Sequence, residues 1–90
     1  MNKVVKEVLI KNKQGLHARP AALFVQTAAK FDSSVRIKKD NQLVDGKSIM
    51  SILSLGAESG NRITIIAEGE DAQRAVLELE KILTEDNEEN

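Results

Sequence analysis

Apolar and polar positions alternate with a period of two at the front of the chain. Val4, Val8 and Ile10 fall on one side, and Val5, Glu7 and Leu9 on the other. That is the pattern of a strand whose outer face is imperfectly polar. Lys11 to Gly15 has no apolar period and reads as a loop. From Ala18 to about Lys30 the period lengthens, and Ala21, Phe24, Val25 and Ala28 recur at helical spacing. Pro20 sits near the front of this helix, where a missing N–H does no harm. Val35 and Ile37 then alternate with Arg36 and Lys38, the pair Asp40-Asn41 supplies a turn, and Leu43-Val44 begins a returning strand. A hairpin follows from this pattern.

Gly46 breaks the returning strand. Ser48 is placed to cap a short helix containing Ile49, Met50, Ile52, Leu53 and Leu55, which Gly56 ends. After a turn at Ser59-Gly60-Asn61, Ile63, Ile65 and Ala67 alternate through a fourth strand with Ile66 on its other side, and Gly69 closes it. Asp71 is placed to cap a final helix. There Ala72, Ala75, Val76, Leu79, Ile82 and Leu83 share one face, opposite Gln73, Arg74, Glu78 and Lys81. The order strand, helix, strand, strand, helix, strand, helix has segments too short and too hairpin-linked for a doubly wound parallel sheet. It predicts an α+β domain (βαββαβα) over residues 1–84, with four antiparallel strands and helices on one face. Residues 85–90, with Glu85, Asp86, Glu88 and Glu89, read as a solvated acidic tail without a role.

Composition narrows the function classes. A chain of 90 residues leaves room for one core, built mainly from Val, Ile, Leu and Ala, because there are two Phe and no Trp or Tyr. The absence of Cys excludes a disulfide framework, a thiolate nucleophile and sulfur-dependent zinc sites, and a lone His argues against a catalytic metal. Thirteen Lys+Arg against fourteen Asp+Glu leave no basic surplus for a nucleic-acid backbone. No apolar run is long enough for membrane insertion, and the N-terminus carries no signal-peptide core, so a cytoplasmic protein is the default expectation.

His17 stands in Gly15-Leu16-His17-Ala18-Arg19-Pro20, where the loop becomes the first helix. Backbone N–H groups and the positive end of the helix dipole attract anions there, and Arg19 adds a charged fork for phosphoryl oxygens. A neutral imidazole is nucleophilic near pH 7 without a buried base. Spacing alone leaves open an ordinary surface histidine beside a helix start.

The run Gly15-Leu16-His17-Ala18-Arg19-Pro20-Ala21-Ala22 resembles the active-site signature of HPr, the histidine phosphocarrier of the bacterial sugar phosphotransferase system. The likeness continues through Lys47-Ser48-Ile49-Met50 and Leu53-Ser54-Leu55-Gly56, and covers residues 3 to 85. It implies an open-faced β-sandwich in which His17 takes the phosphoryl group on Nδ1 with Arg19 as its electrostatic partner. It further implies enzyme I as donor, the A domain of a sugar permease as acceptor, and no cofactor. Such a chain is a carrier and not a stand-alone catalyst.

Ser48 read by position alone is an N-cap. Resemblance to HPr proteins of low-GC Gram-positive bacteria adds a regulatory role, phosphorylation by the ATP-dependent HPr kinase/phosphorylase. The phosphorylated form then serves a LacI-type catabolite control protein. Two departures bear on that kinase: Ser51 stands where many such sequences have Gly, and Asp45-Gly46 where Asn-Leu is usual. Leu16, Ala18, Ala22, Lys47, Ile49, Met50 and Leu53 are assigned to a partner-docking patch, although Ile49 and Leu53 would equally complete the core. Two related classes are open to comparison. The regulatory paralogue Crh carries Gln where this chain has His17, and the nitrogen-branch carrier NPr usually lacks the Lys-Ser pair. A monomer is expected.

Overall fold

The computed structural model describes residues 2–85. Met1 and the acidic tail beyond Glu85 lie outside the described residues. Seven elements follow in the predicted order: β1 (Lys3–Leu9), α1 (Ala18–Ala28), β2 (Ser34–Lys39), β3 (Gln42–Asp45), α2 (Ile49–Ser54), β4 (Arg62–Glu68) and α3 (Ala72–Thr84). The strands form one sheet in the order β1-β4-β2-β3, and every neighbouring pair is antiparallel.

The register explains which face is buried. Val8 pairs with Ile63, Ile37 with both Ile65 and Val44, and Val35 with Ala67. Directly opposed residues point to the same side, so these side chains form one apolar face beneath the helices. Ile37, Ile65 and Ala67 are completely buried. α1 contributes Ala21, Phe24 and Ala28 to the same core, and α3 contributes Ala72, Ala75, Val76, Leu79, Ile82 and Leu83. All six periodic positions of the last helix are therefore inward, and the opposite face with Gln73, Arg74, Glu78 and Lys81 is exposed. On the outer face of the sheet Ile66 stands between Val5 and Arg36, with the Arg36 guanidinium 3.3 Å from the Glu68 carboxylate.

Turn chemistry fixes the ends of the elements. Asp40 takes φ of +54° in the two-residue β2–β3 turn, a conformation that Asp and Asn tolerate better than most residues. Gly46 ends β3 by close approach: a Cβ there would stand 2.6 Å from Val35 Cγ1.

The last helix corrects one expectation. Asp71 occupies the N-cap position of α3, yet its carboxylate makes no capping bond to the helix. It accepts instead from the backbone N–H groups of Asp32 (2.9 Å) and Ser33 (3.0 Å) and from the Ser33 hydroxyl. These bonds, the Ser33 hydroxyl foremost, hold the Asp71 carboxyl below its ordinary value of 3.8. The residue thus ties the α1–β2 loop to the start of α3, because the loop's N–H groups reach the carboxylate from outside the helix.

Candidate functional site

The segment before His17 is held at several points. The Ile10 N–H donates to the Asn61 carbonyl at 2.9 Å, and the Lys11 N–H to the Leu83 carbonyl at 2.8 Å. The Gly15 N–H closes a turn on the Asn12 carbonyl at 3.0 Å, and the Leu16 N–H donates to the Ala57 carbonyl at 2.9 Å. Gly15 adopts φ of +72°, and a Cβ on it would stand 2.6 Å from the Ala57 oxygen. Only glycine meets both demands without strain. The chain therefore enters α1 from a fixed direction.

His17 is the N-cap of α1, with extended backbone (φ −91°, ψ −168°), and its carbonyl accepts from the Ala21 N–H at 3.0 Å. Ala18 and Arg19 fall in the first turn, where backbone N–H groups have no carbonyl four residues back within the helix. Pro20, which has no N–H to satisfy, is the third helical residue and is buried. No acidic side chain occupies this turn to compete with an anion. His17 is half-buried, while Ala18 and Arg19 are exposed. The arrangement offers a half-buried imidazole, the positive end of an 11-residue helix and an exposed guanidinium in its first turn.

Ser48 has the capping geometry read from its position. Its backbone is extended and its Oγ accepts from the Ser51 N–H at 3.3 Å. The lead-in is organised by Asp45, whose carboxylate accepts from the Lys47 N–H at 2.9 Å and whose carbonyl accepts from the Ser48 N–H at 3.3 Å. Ser51 is half-buried and joins the site through its backbone.

The seven residues expected to form a docking patch differ in exposure. Leu16 is corrected: only 4% exposed, it belongs to the core, because the Leu16–Ala57 hydrogen bond draws it under the helices. Lys47 is half-buried, with its ammonium donating to the Phe31 carbonyl at 2.9 Å. Ile49 and Leu53 are partly buried and pack on the core, so they serve the interior while showing an edge to solvent. Met50 is 73% exposed, Ala18 is exposed and Ala22 half-buried. α1 packs directly against α2, which brings the helix that follows His17 alongside the helix that follows Ser48.

Asn12 is a feature the sequence reading missed. It lies in a loop that looked featureless, yet it is only 1% exposed. Among the described residues no group of three His, Cys, Asp or Glu could hold a metal ion, and no helix is long and apolar enough to cross a membrane.

Fold and site together define an open-faced β-sandwich with a histidine at the mouth of its first helix. Comparison places that class within a family. Residues 4–85 match the family model described as PTS HPr component phosphorylation site. The chain belongs to the HPr family. It is 53% identical to the HPr-like protein Crh of Halalkalibacterium halodurans over 73 residues, 81% of this chain and 87% of that protein. The crystal structure of phosphocarrier protein HPr from Bacillus anthracis superimposes with a TM-score of 0.88 at 46% identity, covering 92% of this chain and 99% of that one. Crh of Bacillus subtilis superimposes with a TM-score of 0.75 at 44% identity, covering 93% and 97% of the two chains. That structure is described as a dimer with a swapping domain, so the monomer expected from the sequence stands against this relative.

Proposed function

We propose that this chain is a phosphocarrier in which His17 receives a phosphoryl group from phospho-enzyme I and passes it to the A domain of a sugar permease. In the forward step the Nδ1 lone pair attacks phosphorus, the P–N bond forms, and the bond to the donor breaks. The reverse movement of the same group, to the acceptor's nucleophile, regenerates the neutral ring. The observation that carries the reading is the placement of His17 as N-cap of α1, on a first turn without acidic side chains and with Arg19 exposed beside it. The helix end favours the phosphoryl oxygens, and Arg19 offers them a charge-assisted fork. The work of the fold is to present the imidazole, and selecting a sugar is left to the acceptor.

Ser48 has a second, regulatory part in this reading. The HPr kinase/phosphorylase adds phosphate at the α2 start, and charge of about −1.5 to −2 beside Met50 repels an acidic partner while creating a surface for the catabolite control protein. The cytoplasm is the compartment in which these partners meet. Incubation with phosphoenolpyruvate and enzyme I tests the carrier role: the wild type takes up one acid-labile, base-stable phosphate and His17→Ala takes up none. Labelling that survived this substitution would overturn the reading.

A second reading, a purely regulatory module like Crh, is favoured by the 53% identity to a protein of that name. Crh carries Gln where this chain keeps His17, which supports the carrier. A chain labelled by ATP and kinase at Ser48 but never by enzyme I would reverse the preference.

A further inference from the structure

Asn12 is buried between the exposed Lys11 and Lys13, and its side chain is only half satisfied. Its Nδ2 donates to the Ile82 carbonyl at 3.1 Å, while its Oδ1 has no hydrogen-bond partner among the described residues. A leucine would fill a site of this size but leave the Ile82 carbonyl without this donor, so the amide is kept for its hydrogen bond and not for packing.

The partners of the loop point to another role. Ile82 and Leu83 lie in the last turn of α3, where carbonyls have no partner within the helix. The Asn12 side chain takes the first of these and the Lys11 N–H takes the second. From the same residue the Asn12 carbonyl accepts from the Gly15 N–H, closing the turn that delivers Leu16 and His17. One residue therefore joins the end of α3 to the entry of α1.

We infer that Asn12 is a positioning residue for phosphoryl transfer at His17, holding the turn that sets where the imidazole stands. This rests on the carrier reading of His17. Asn12 acts through Gly15 and Leu16, the residues that lead into His17. Its orphaned oxygen is tolerated because the amide nitrogen fixes the loop to a rigid helix end.

The test is Asn12→Leu, with transfer from phospho-enzyme I followed at varied carrier concentration and the His17 ring observed by NMR. The expected result is a lowered melting midpoint, since the Ile82 carbonyl loses its donor, an unchanged KM, a kcat lower by roughly 10- to 100-fold, and displaced ring 1H and 15N shifts. Asn12→Gln, which keeps the amide donor, recovers part of the rate. Wild-type kcat together with undisplaced ring shifts in Asn12→Leu would overturn the inference. Should Asn12→Leu fail to fold, Asn12→Ser, whose donor reaches less far, is read by the same two measurements. If the wild type itself takes no phosphate on His17, the carrier reading falls, and the ring shifts alone still decide whether Asn12 places the imidazole.

Discussion

Gly15→Ala places the link between backbone and site under the sharpest strain. At φ of +72° an L residue pays a left-handed penalty of roughly 1–2 kcal/mol. The new Cβ would also stand 2.6 Å from the Ala57 oxygen and 2.8 Å from Glu58 Cα, both backbone atoms that cannot rotate away. Relief requires the loop to retreat, which breaks the Leu16–Ala57 hydrogen bond, worth about 1 kcal/mol. Reduced freedom of the unfolded chain returns only about 0.4–1 kcal/mol. The net destabilisation is about 2 kcal/mol, or roughly 8–16 °C in melting midpoint for a domain of this size. Gly56→Ala is the matched control: its φ is +60°, but a Cβ there meets nothing within 4 Å, so only the conformational penalty applies. Calorimetry on both variants should show Gly15→Ala several degrees below Gly56→Ala, and only Gly15→Ala should also slow phosphorylation at His17. Equal midpoints would refute the claim that close approach to Ala57 fixes this loop.

Two further outcomes follow from caps and charges. Ser48→Ala removes the Oγ acceptor of the Ser51 N–H and should lower stability by about 1 kcal/mol in urea titrations, while ATP-dependent labelling by the kinase disappears. The Asp71 carboxyl has a lowered folded pKa, so its stabilising contribution is complete above the unfolded value near 3.8 and fades as pH falls through the lower folded value. Wild type should therefore exceed Asp71→Asn in melting midpoint at neutral pH, and the gap should close below about pH 4; a gap constant with pH would show that ionisation is not what binds the α1–β2 loop.

The parts legible in the sequence are those governed by local period. The six inward residues of α3 could be read because a 3.6-residue repeat has one face, and the Ser48 cap because its partner, Ser51, is three residues away. What escaped depends on partners distant along the chain. Asp71 had the right position for a cap, but Asp32 and Ser33 claimed its carboxylate. Leu16 looked like a loop residue available for docking, and only its hydrogen bond to Ala57 reveals that it turns inward. Nothing local to Lys47 signals that its ammonium donates to the Phe31 carbonyl, 16 residues earlier. The location of His17 at a helix start was readable from the residues, whereas its chemistry was implied by the family signature. Geometry adds the reason the signature needs Gly15, and of the residues expected to dock partners it leaves Met50 the most exposed large apolar one.

The central claim concerns one nitrogen atom. After reaction with phosphoenolpyruvate and enzyme I, NMR of the 15N-labelled chain should show a phosphorus–nitrogen coupling at Nδ1 of His17, with ring shifts elsewhere absent because this is the chain's single histidine. A phosphate found on any other residue, or a ring left uncoupled under conditions that phosphorylate a known HPr, would contradict the account.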